Sequence, residues 1–206
     1  MPERGAYARW GKRGFDMVGA LLLLALGLPL LLGTALAVRL VLGRPVLFHE
    51  WRAGRDGAPF RIVKFRSMAD GAGSDALRLS RFGRAIRALA LDELPQLWLV
   101  LRGDMSLVGP RPLPLEYTPL YTPREALRLS ARPGLCGLAQ AEGRNAVPWP
   151  ARLEWDARYV ERVTLRGDLV ILARCAWLLL TGRGAHAPGE ATMAPLTSAR
   201  GDPSAS

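Results

Sequence analysis

Two adjacent carboxylates, Asp92 and Glu93, open the stretch Leu91–Pro112, and a basic turn, Gly109-Pro110-Arg111-Pro112, closes it. An ionised Asp beside an ionised Glu, with arginines nearby, suits phosphoryl chemistry: one carboxylate attacks and the other holds a metal. Pro95 fits the first turn of a helix, where its missing N–H leaves nothing unpaired. The predicted helix therefore starts with Asp92 at the N-cap and runs to about Leu101, and its N-terminus favours ionised acids. The same pair also reads as a plain N-cap followed by a first-turn dipole charge, the commoner role for acids at this place. Arg111 lies between Pro110 and Pro112, in a stiff extended turn that preorganises its guanidinium for a phosphate.

Other polar residues point the same way. In Phe60–Phe65 apolar and basic residues alternate, so Lys64 and Arg66 share one face of a strand and can reach one phosphate. A solvated strand edge also accounts for them. Gln140, Arg144 and Asn145 lie in a glycine-punctuated loop, Arg132–Asn145, and suit the phosphate, sugar or base edge of a nucleotide; self-capping of a long loop is the competing reading.

These residues need elements to position them. Met17–Val38 is an apolar stretch long enough to span a bilayer, preceded by Lys12 and Arg13 and followed by Arg39 and Arg44. Basic residues at both ends give no direction for a crossing, and Pro29 removes a backbone donor near the middle. A spanning helix and a re-entrant helix bent at Pro29 both remain open on these residues. Val46–Phe48 and Phe60–Phe65 read as strands around a turn at Gly54–Gly57, and Ala69–Asp75 as a loop. Leu79–Leu89 reads as a basic helix with Arg81, Arg84 and Arg87 along one side. Leu94, Leu97, Trp98 and Leu101 form an apolar stripe on the next helix. Pro114–Ser130 reads as short helices, Trp149–Arg162 as an amphipathic helix, and Asp168–Leu180 as an apolar helix too short to span, with Arg174 reaching toward headgroups. Two Arg-Gly-Asp tripeptides, ending at Asp104 and Asp168, read as a turn followed by a capping Asp. Beyond Gly182 the chain is poor in apolar residues and is expected to be weakly ordered.

Composition narrows the partners. The net charge is +10, and arginine supplies all of the basic residues but Lys12 and Lys64. Arginine favours bidentate phosphate recognition, so anionic lipid and phosphorylated substrates suit this chain. Zinc-finger spacing, aromatic RNP-type strands and basic heptads are all absent, and nucleic acid is not expected as a partner. Two cysteines, Cys136 and Cys175, form neither a metal pattern nor a disulfide scaffold.

Six blocks carry a resemblance. They are Lys12–Asp16; Pro45–Phe48 with Arg52 and Gly54; Phe60–Met68; Leu91–Pro112; Arg132-Pro133-Gly134 through Gly143-Arg144-Asn145; and Trp155-Asp156 through Asp168-Leu169. In this order they resemble the monotopic phosphoglycosyl transferases, the initiating sugar transferases of bacterial glycan assembly. The resemblance covers roughly residues 12–181, and its specificity lies in the ordered set rather than in any one block.

It implies a fold that is mainly α with a few short β-strands. An N-terminal re-entrant membrane helix-break-helix and amphipathic interfacial helices surround a small cytoplasmic catalytic domain. The expected divisions are a basic N-terminus (1–13), the hairpin (14–43), the catalytic domain (44–181) and the tail (182–206). The implied reaction takes a UDP-sugar donor and a polyprenyl (undecaprenyl) phosphate acceptor in the lipid bilayer, at the cytoplasmic face of the bacterial inner membrane. Asp92 is the implied nucleophile and Glu93 the ligand of a Mg²⁺ cofactor. Lys64, Arg66, Arg87, Arg111, Gln140, Arg144 and Asn145 are the implied substrate contacts, and Pro29 the membrane break. A homo-oligomer is left open. Three positions depart from the usual pattern: Leu28 and Ala90 stand where a Ser is usual, and Cys136 where Thr is more frequent. A phosphatase-like phosphotransferase using water, and a non-catalytic membrane-anchored basic protein, are the alternatives.

Overall fold

The computed structural model describes residues 5–69, 78–143, 147–181 and 195–200. The expected loop Ala69–Asp75, but for its first residue, and both Arg144 and Asn145 lie outside them. The protein is mostly helical, with two small two-stranded sheets.

After a π-helical turn at Tyr7–Gly11, helix α1 (Lys12–Val41) is uninterrupted. At Pro29, where a break is expected, helical structure continues on both sides. Proline removes a single hydrogen bond, and the leucines and alanines on either side are good helix formers that keep the chain winding. Among the described residues this is the one helix long and apolar enough to cross a membrane. Its two ends nevertheless pack on the same body. Near the start, Asp16 accepts from Leu107 N–H (3.0 Å) and Ser106 Oγ–H (2.9 Å), and Arg13 donates to the carbonyls of Val100 and Leu101. Near the end, Val38 is buried with Phe65 and Ile86, and the Leu42 carbonyl accepts from Arg66. Between these anchors Leu21, Leu22, Leu26 and Leu32 are exposed.

Strands β1 (Leu47–Ala53) and β2 (Pro59–Phe65) form an antiparallel hairpin in which Phe48 faces Lys64 and Arg52 faces Phe60. The alternation in β2 holds at its start: Phe60 and Ile62 enter the main core and Arg61 is exposed. Phe65, expected opposite to them, is buried too, because the end of α1 covers that side. Helix α2 (Arg81–Ala88) is capped by Ser80 Oγ accepting from Gly83 N–H (3.0 Å). Gly83 allows α2 to touch the hairpin's exit: a Cβ there would stand 2.0 Å from the Ser67 carbonyl oxygen.

The segment after α2 differs from expectation. Ala90 adopts a left-handed conformation (φ 53°), Leu91–Glu93 is a 3-10 turn, and helix α3 begins only at Gln96 (Gln96–Arg102). Pro95, not Asp92, takes the N-cap position. The apolar stripe is also broader than its spacing suggested. Leu99 and Val100 are buried along with Leu97, whereas Trp98 is 60% exposed, because α3 is wedged between α1 and the strands.

Strand β3 (Ser106–Val108) pairs in parallel with β4 (Gly134–Cys136), so the expected loop Arg132–Asn145 holds a strand and a helical turn, α5 (Leu138–Ala141), preceded by α4 (Pro123–Ala126). The backbones approach so closely that a Cβ at Gly134 would lie 2.1 Å from the Gly109 nitrogen. Helix α6 (Trp149–Glu161) leads into α7 (Leu165–Thr181). Thr164 Oγ1 accepts from Gly167 N–H (3.1 Å), so α7 starts before Asp168, which is fully buried rather than a cap. Asp104 likewise is no helix cap; it pairs with Arg102. Within the tail expected to lack order, α8 (Leu196–Arg200) is docked: Leu196 is buried beside Leu113, Tyr117 and Leu153, and Arg200 pairs with Glu125. One apolar anchor and one ion pair suffice to seat this turn despite the polar composition around it.

Candidate active site

The 3-10 turn Leu91–Glu93 lies at the wall of a cavity of about 1070 Å³. The cavity gathers Asp92, Glu93, Lys64, Arg66, Arg87, Arg111 and Gln140 from five separate segments. These are all of the expected site residues that fall within the described part of the chain, Pro29 apart. Two neighbours of Pro29 on α1, Leu26 and Leu30, join Leu23 and Leu179 in an apolar edge to the same cavity.

The left-handed Ala90 turns the chain so that the two acids project differently. Glu93 Oε1 accepts from Arg111 (2.6 Å) and has Lys64 Nζ at 3.7 Å. Asp92 is only 7% exposed and makes no hydrogen bond or ion pair among the described residues. Its carboxyl is pushed up to about 6, by burial and then by the neighbouring Glu93 charge, against the pull of Lys64, Arg87 and Arg111. At neutral pH it is ionised, and it is the less solvated of the two acids. Burial lowers the Lys64 ammonium pKa, an effect that Glu93 opposes. Glu93 in turn holds the Arg111 guanidinium above its ordinary range.

Several side chains are braced from behind. Arg87 donates to Ser67 Oγ (2.7 Å), which fixes it along α2 toward Asp92. Arg66 donates to the Leu42 carbonyl, so it ties α1 to the site as well as lining it. The Arg111 turn is held by a buried ion pair that the sequence reading passed over: Arg128 donates to the Arg111 carbonyl (2.6 Å) and to Asp156 Oδ2 (2.9 Å). Asp156 stood inside a recognised block, but Arg128 carried no signal; its partners are 17 and 28 residues away. Arg52 and Arg84, which the sequence marks only within a block and on a basic helix face, also line the cavity, as does Arg152, which carried no signal.

Among the described residues no group of three or more His, Cys, Asp or Glu could hold a metal. The residues present still fit Mg²⁺. That ion takes one or two carboxylates plus substrate phosphates, and Asp92 and Glu93 are adjacent acids whose mutual repulsion a cation would relieve. The arrangement as a whole offers a buried nucleophilic oxygen, a second acid for a cation, fixed guanidinium groups for phosphate oxygens, and an apolar margin.

Comparison with known proteins agrees with this chemistry. Residues 7–182 match the family described as bacterial sugar transferase. The chain is 43% identical to an uncharacterized sugar transferase, EpsL, of Bacillus subtilis, over 88% of this chain and 93% of that protein. It is 44% identical to the UDP-glucose:undecaprenyl-phosphate glucose-1-phosphate transferase of Caulobacter vibrioides, over 85% of this chain and 72% of the relative. The undecaprenyl-phosphate galactose phosphotransferase of Salmonella typhimurium is 36% identical across 87% of this chain, which spans 42% of that longer protein.

Proposed function

The chain belongs to the bacterial sugar transferase family, and from that premise we propose that it moves a phosphosugar from a UDP-sugar to polyprenyl phosphate through a covalent intermediate on Asp92. It is a phosphoglycosyl transferase. One observation carries the covalent reading: Asp92 is buried, ionised at neutral pH and unengaged by any described side chain, whereas Glu93 beside it is tied to Arg111.

In the first step an Asp92 oxygen attacks the phosphorus bonded to the sugar, the bond to the bridging oxygen breaks, and UMP departs. In the second, an oxygen of the lipid phosphate attacks the same phosphorus and the Asp92 carboxylate is released, giving polyprenyl-diphosphate-sugar. Glu93 would hold Mg²⁺, whose charge offsets that developing on the leaving phosphate. Arg111, kept in place by Arg128, and Lys64 and Arg87 bind the remaining phosphate oxygens. The apolar edge of Leu23, Leu26, Leu30 and Leu179 accommodates the first isoprene units of the acceptor.

The test uses purified protein, Mg²⁺ and a panel of UDP-sugars without lipid. About one equivalent of UMP should appear, with a phosphosugar adduct on the peptide containing Leu91-Asp92-Glu93, and Asp92→Asn should lose both. UMP that appears only once polyprenyl phosphate is added, with no adduct, would favour direct transfer in a ternary complex. Sugar phosphate formed with water alone would mark a phosphohydrolase.

We also propose that α1 is re-entrant, entering and leaving on the cytoplasmic face of the bacterial inner membrane. A straight helix of 30 residues is about 45 Å long and would carry its ends to opposite sides of a core about 30 Å thick. The support is that Asp16 and Val38 are buried in the same body. Single cysteines near Arg9 and near Arg44, in a chain lacking Cys136 and Cys175, should both react from the cytoplasm. Labelling of the first only from outside restores a spanning helix.

A further inference from the structure

The contacts proposed above serve phosphates and lipid; none serves the sugar ring of the donor. A charged pair on the strand hairpin stands close to where that ring must lie. In the hairpin register Phe48 is opposite Lys64, Glu50 opposite Ile62 and Arg52 opposite Phe60, so these side chains share one face. It is the inner face: Phe60 and Ile62 are buried in the main core, whereas His49, Trp51 and Arg61 on the other side are exposed. Phe48, Glu50, Arg52 and Lys64 all line the active-site cavity.

A plain surface ion pair accounts poorly for Glu50 and Arg52. Such pairs stand on solvated faces and contribute little. This one is on the side of the hairpin that packs on the core, and the Arg52 side chain is only 17% exposed. Arg52 donates through Nη2 to Glu50 Oε2. Its Nε–H is buried and has no acceptor among the described residues. A buried donor left in that state is costly and is normally supplied with a partner. Glu50 is half-buried, and Arg52 engages only its Oε2, so Oε1 remains to accept. The pair therefore offers a donor and an acceptor side by side. A phosphate would meet the Glu50 charge, and a cation the Arg52 charge. A hydroxyl group both donates and accepts, and two adjacent hydroxyls match the pair.

Two sets of contacts place the pair relative to the reaction centre. Lys64 Nζ is 3.7 Å from Glu93 Oε1, the oxygen that Arg111 also holds, and Glu93 adjoins Asp92. Glu50 lies two residues along β1 from Phe48, which is opposite Lys64; that is a step of about 7 Å. Beyond Arg52 the strand is tied to the segment that follows the Arg111 turn. Ala53 N–H donates to the Leu113 carbonyl (3.0 Å), and Arg52 forms an antiparallel bridge with Pro114. The sugar is bonded through a single oxygen to the phosphorus under attack, whereas the ribose is separated from it by the second phosphate. Of the two rings, the sugar is therefore the nearer to Lys64 and to the pair beside it.

We propose that Glu50 and Arg52 bind adjacent hydroxyl groups of the donor's sugar ring, Glu50 accepting and Arg52 donating, with the exposed Phe48 ring against the C–H face of the sugar. This rests on the phosphosugar-transfer reading above. The pair is bonded in advance and the hairpin is tied to Glu93 and to Leu113, so little freedom is lost on binding. Its consequence is specificity. A site built to hydrogen-bond a hydroxyl rejects the analogue that lacks it, because the buried group is then left unpaired.

The experiment is a cycle between residue and hydroxyl. Wild-type protein, Glu50→Gln and Glu50→Ala, each full-length in the same detergent or nanodisc and each with an unchanged thermal transition, are assayed for UMP release. UDP-glucose, UDP-galactose and their N-acetylamino counterparts identify the accepted donor. Its analogues lacking one sugar hydroxyl at a time, and those lacking a ribose hydroxyl, are then compared. In wild type, loss of one or two adjacent sugar hydroxyls should lower kcat/KM by about 10- to 100-fold, as for a charge-assisted bond. In Glu50→Ala the parent sugar should fall by a similar factor, and the same deoxy analogue by no more than about twofold further, since the contact is already gone. Glu50→Gln should lie between, with its shape and one acceptor kept. UMP affinity should stay within about twofold in all three, since UMP carries no such ring. A hydroxyl whose loss costs as much in Glu50→Ala as in wild type overturns the proposal. So does a wild type indifferent to every sugar hydroxyl, and so does coupling to a ribose hydroxyl instead, which would give the pair to the nucleotide. If the variants do not fold, carbodiimide labelling of Glu50 in wild-type protein decides. The accepted UDP-sugar should protect Glu50 and UMP should not; equal labelling with both overturns the assignment. A wild type that releases UMP from no UDP-sugar would instead break the phosphosugar-transfer reading.

Discussion

Carboxylates are buried at two places in this protein, and the two are built in opposite ways. Near the N-terminal end of α1, Asp16 and Asp168 are 1% and 0% exposed and are surrounded by donors. Asp168 accepts from Tyr7 (2.7 Å) and Tyr159 (2.9 Å) and pairs with Lys12 (2.9 Å). Asp16 accepts from Ser106, the Leu107 amide and Lys12, leaving only its Oδ2 without a partner among the described residues. At the cavity, Asp92 is nearly as buried and makes no such bond. The first cluster joins segments more than 150 residues apart and gives each acid three donors, as a buried charge needs if it is to hold a structure together. The second leaves one acid without a bonded donor beside a ring of cations, as the nucleophile proposed above requires. Burial alone therefore does not separate a structural acid from a reactive one; the count of donors does.

The sharpest way to break this comparison is to remove the saturated acid. Asp168→Ala strips an acceptor from Tyr7 and Tyr159 and leaves Lys12 buried with Asp16 alone. Opening a buried ion pair from one side costs about 3–5 kcal/mol. For a chain of this size that lowers the thermal midpoint by roughly 10 °C or more, and activity should fall only in step with the folded fraction. A melting point within about two degrees of wild type, where surface changes ordinarily fall, would show that the cluster is not the anchor of α1.

Much of the active site was legible in the sequence, and what was missed shares a cause. Asp92, Glu93, Arg111, Lys64 and Arg87 carried a local pattern: adjacent acids, a proline-locked arginine, an alternating strand, a basic helix. The donor-rich cluster carried none. Asp16 entered only as the end of the block Lys12–Asp16, and Asp168 as a cap after a turn, because their roles depend on partners 90 and more residues distant. Arg128 and Arg152 were silent for the same reason, being single arginines in an arginine-rich chain. The local geometry at Ala90 escaped because left-handed backbone is ordinarily announced by Gly or Asn, and alanine gives no such sign. The continuity of α1 through Pro29 escaped because proline's effect on a helix is set by its neighbours as much as by its own ring.

A smaller effect, of opposite sign, sharpens the contrast. Asp92→Asn should abolish the covalent step and yet make the protein more stable at neutral pH. The Asp92 pKa is raised from 3.8 to about 6 in the folded chain, first by burial and then by Glu93. Between those values the folded protein holds a proton that the unfolded chain has released, so stability falls as pH rises through that window. Above about pH 6 the full cost is present, on the order of 2–3 kcal/mol at most. Asparagine has nearly the same shape and no charge to desolvate. The two proteins should therefore melt together near pH 4 and separate as pH rises, with Asp92→Asn higher by several degrees at pH 8. The same carboxylate should govern chemistry in the other direction: the rate of the UMP burst should climb with pH through about 6 as Asp92 ionises. Differential scanning fluorimetry across pH, with burst kinetics in the same buffers, checks both. If Asp92→Asn melts below wild type at pH 8, the cations around Asp92 more than compensate its burial. The site would then be another donor-rich cluster, and the distinction between the two regions would fail.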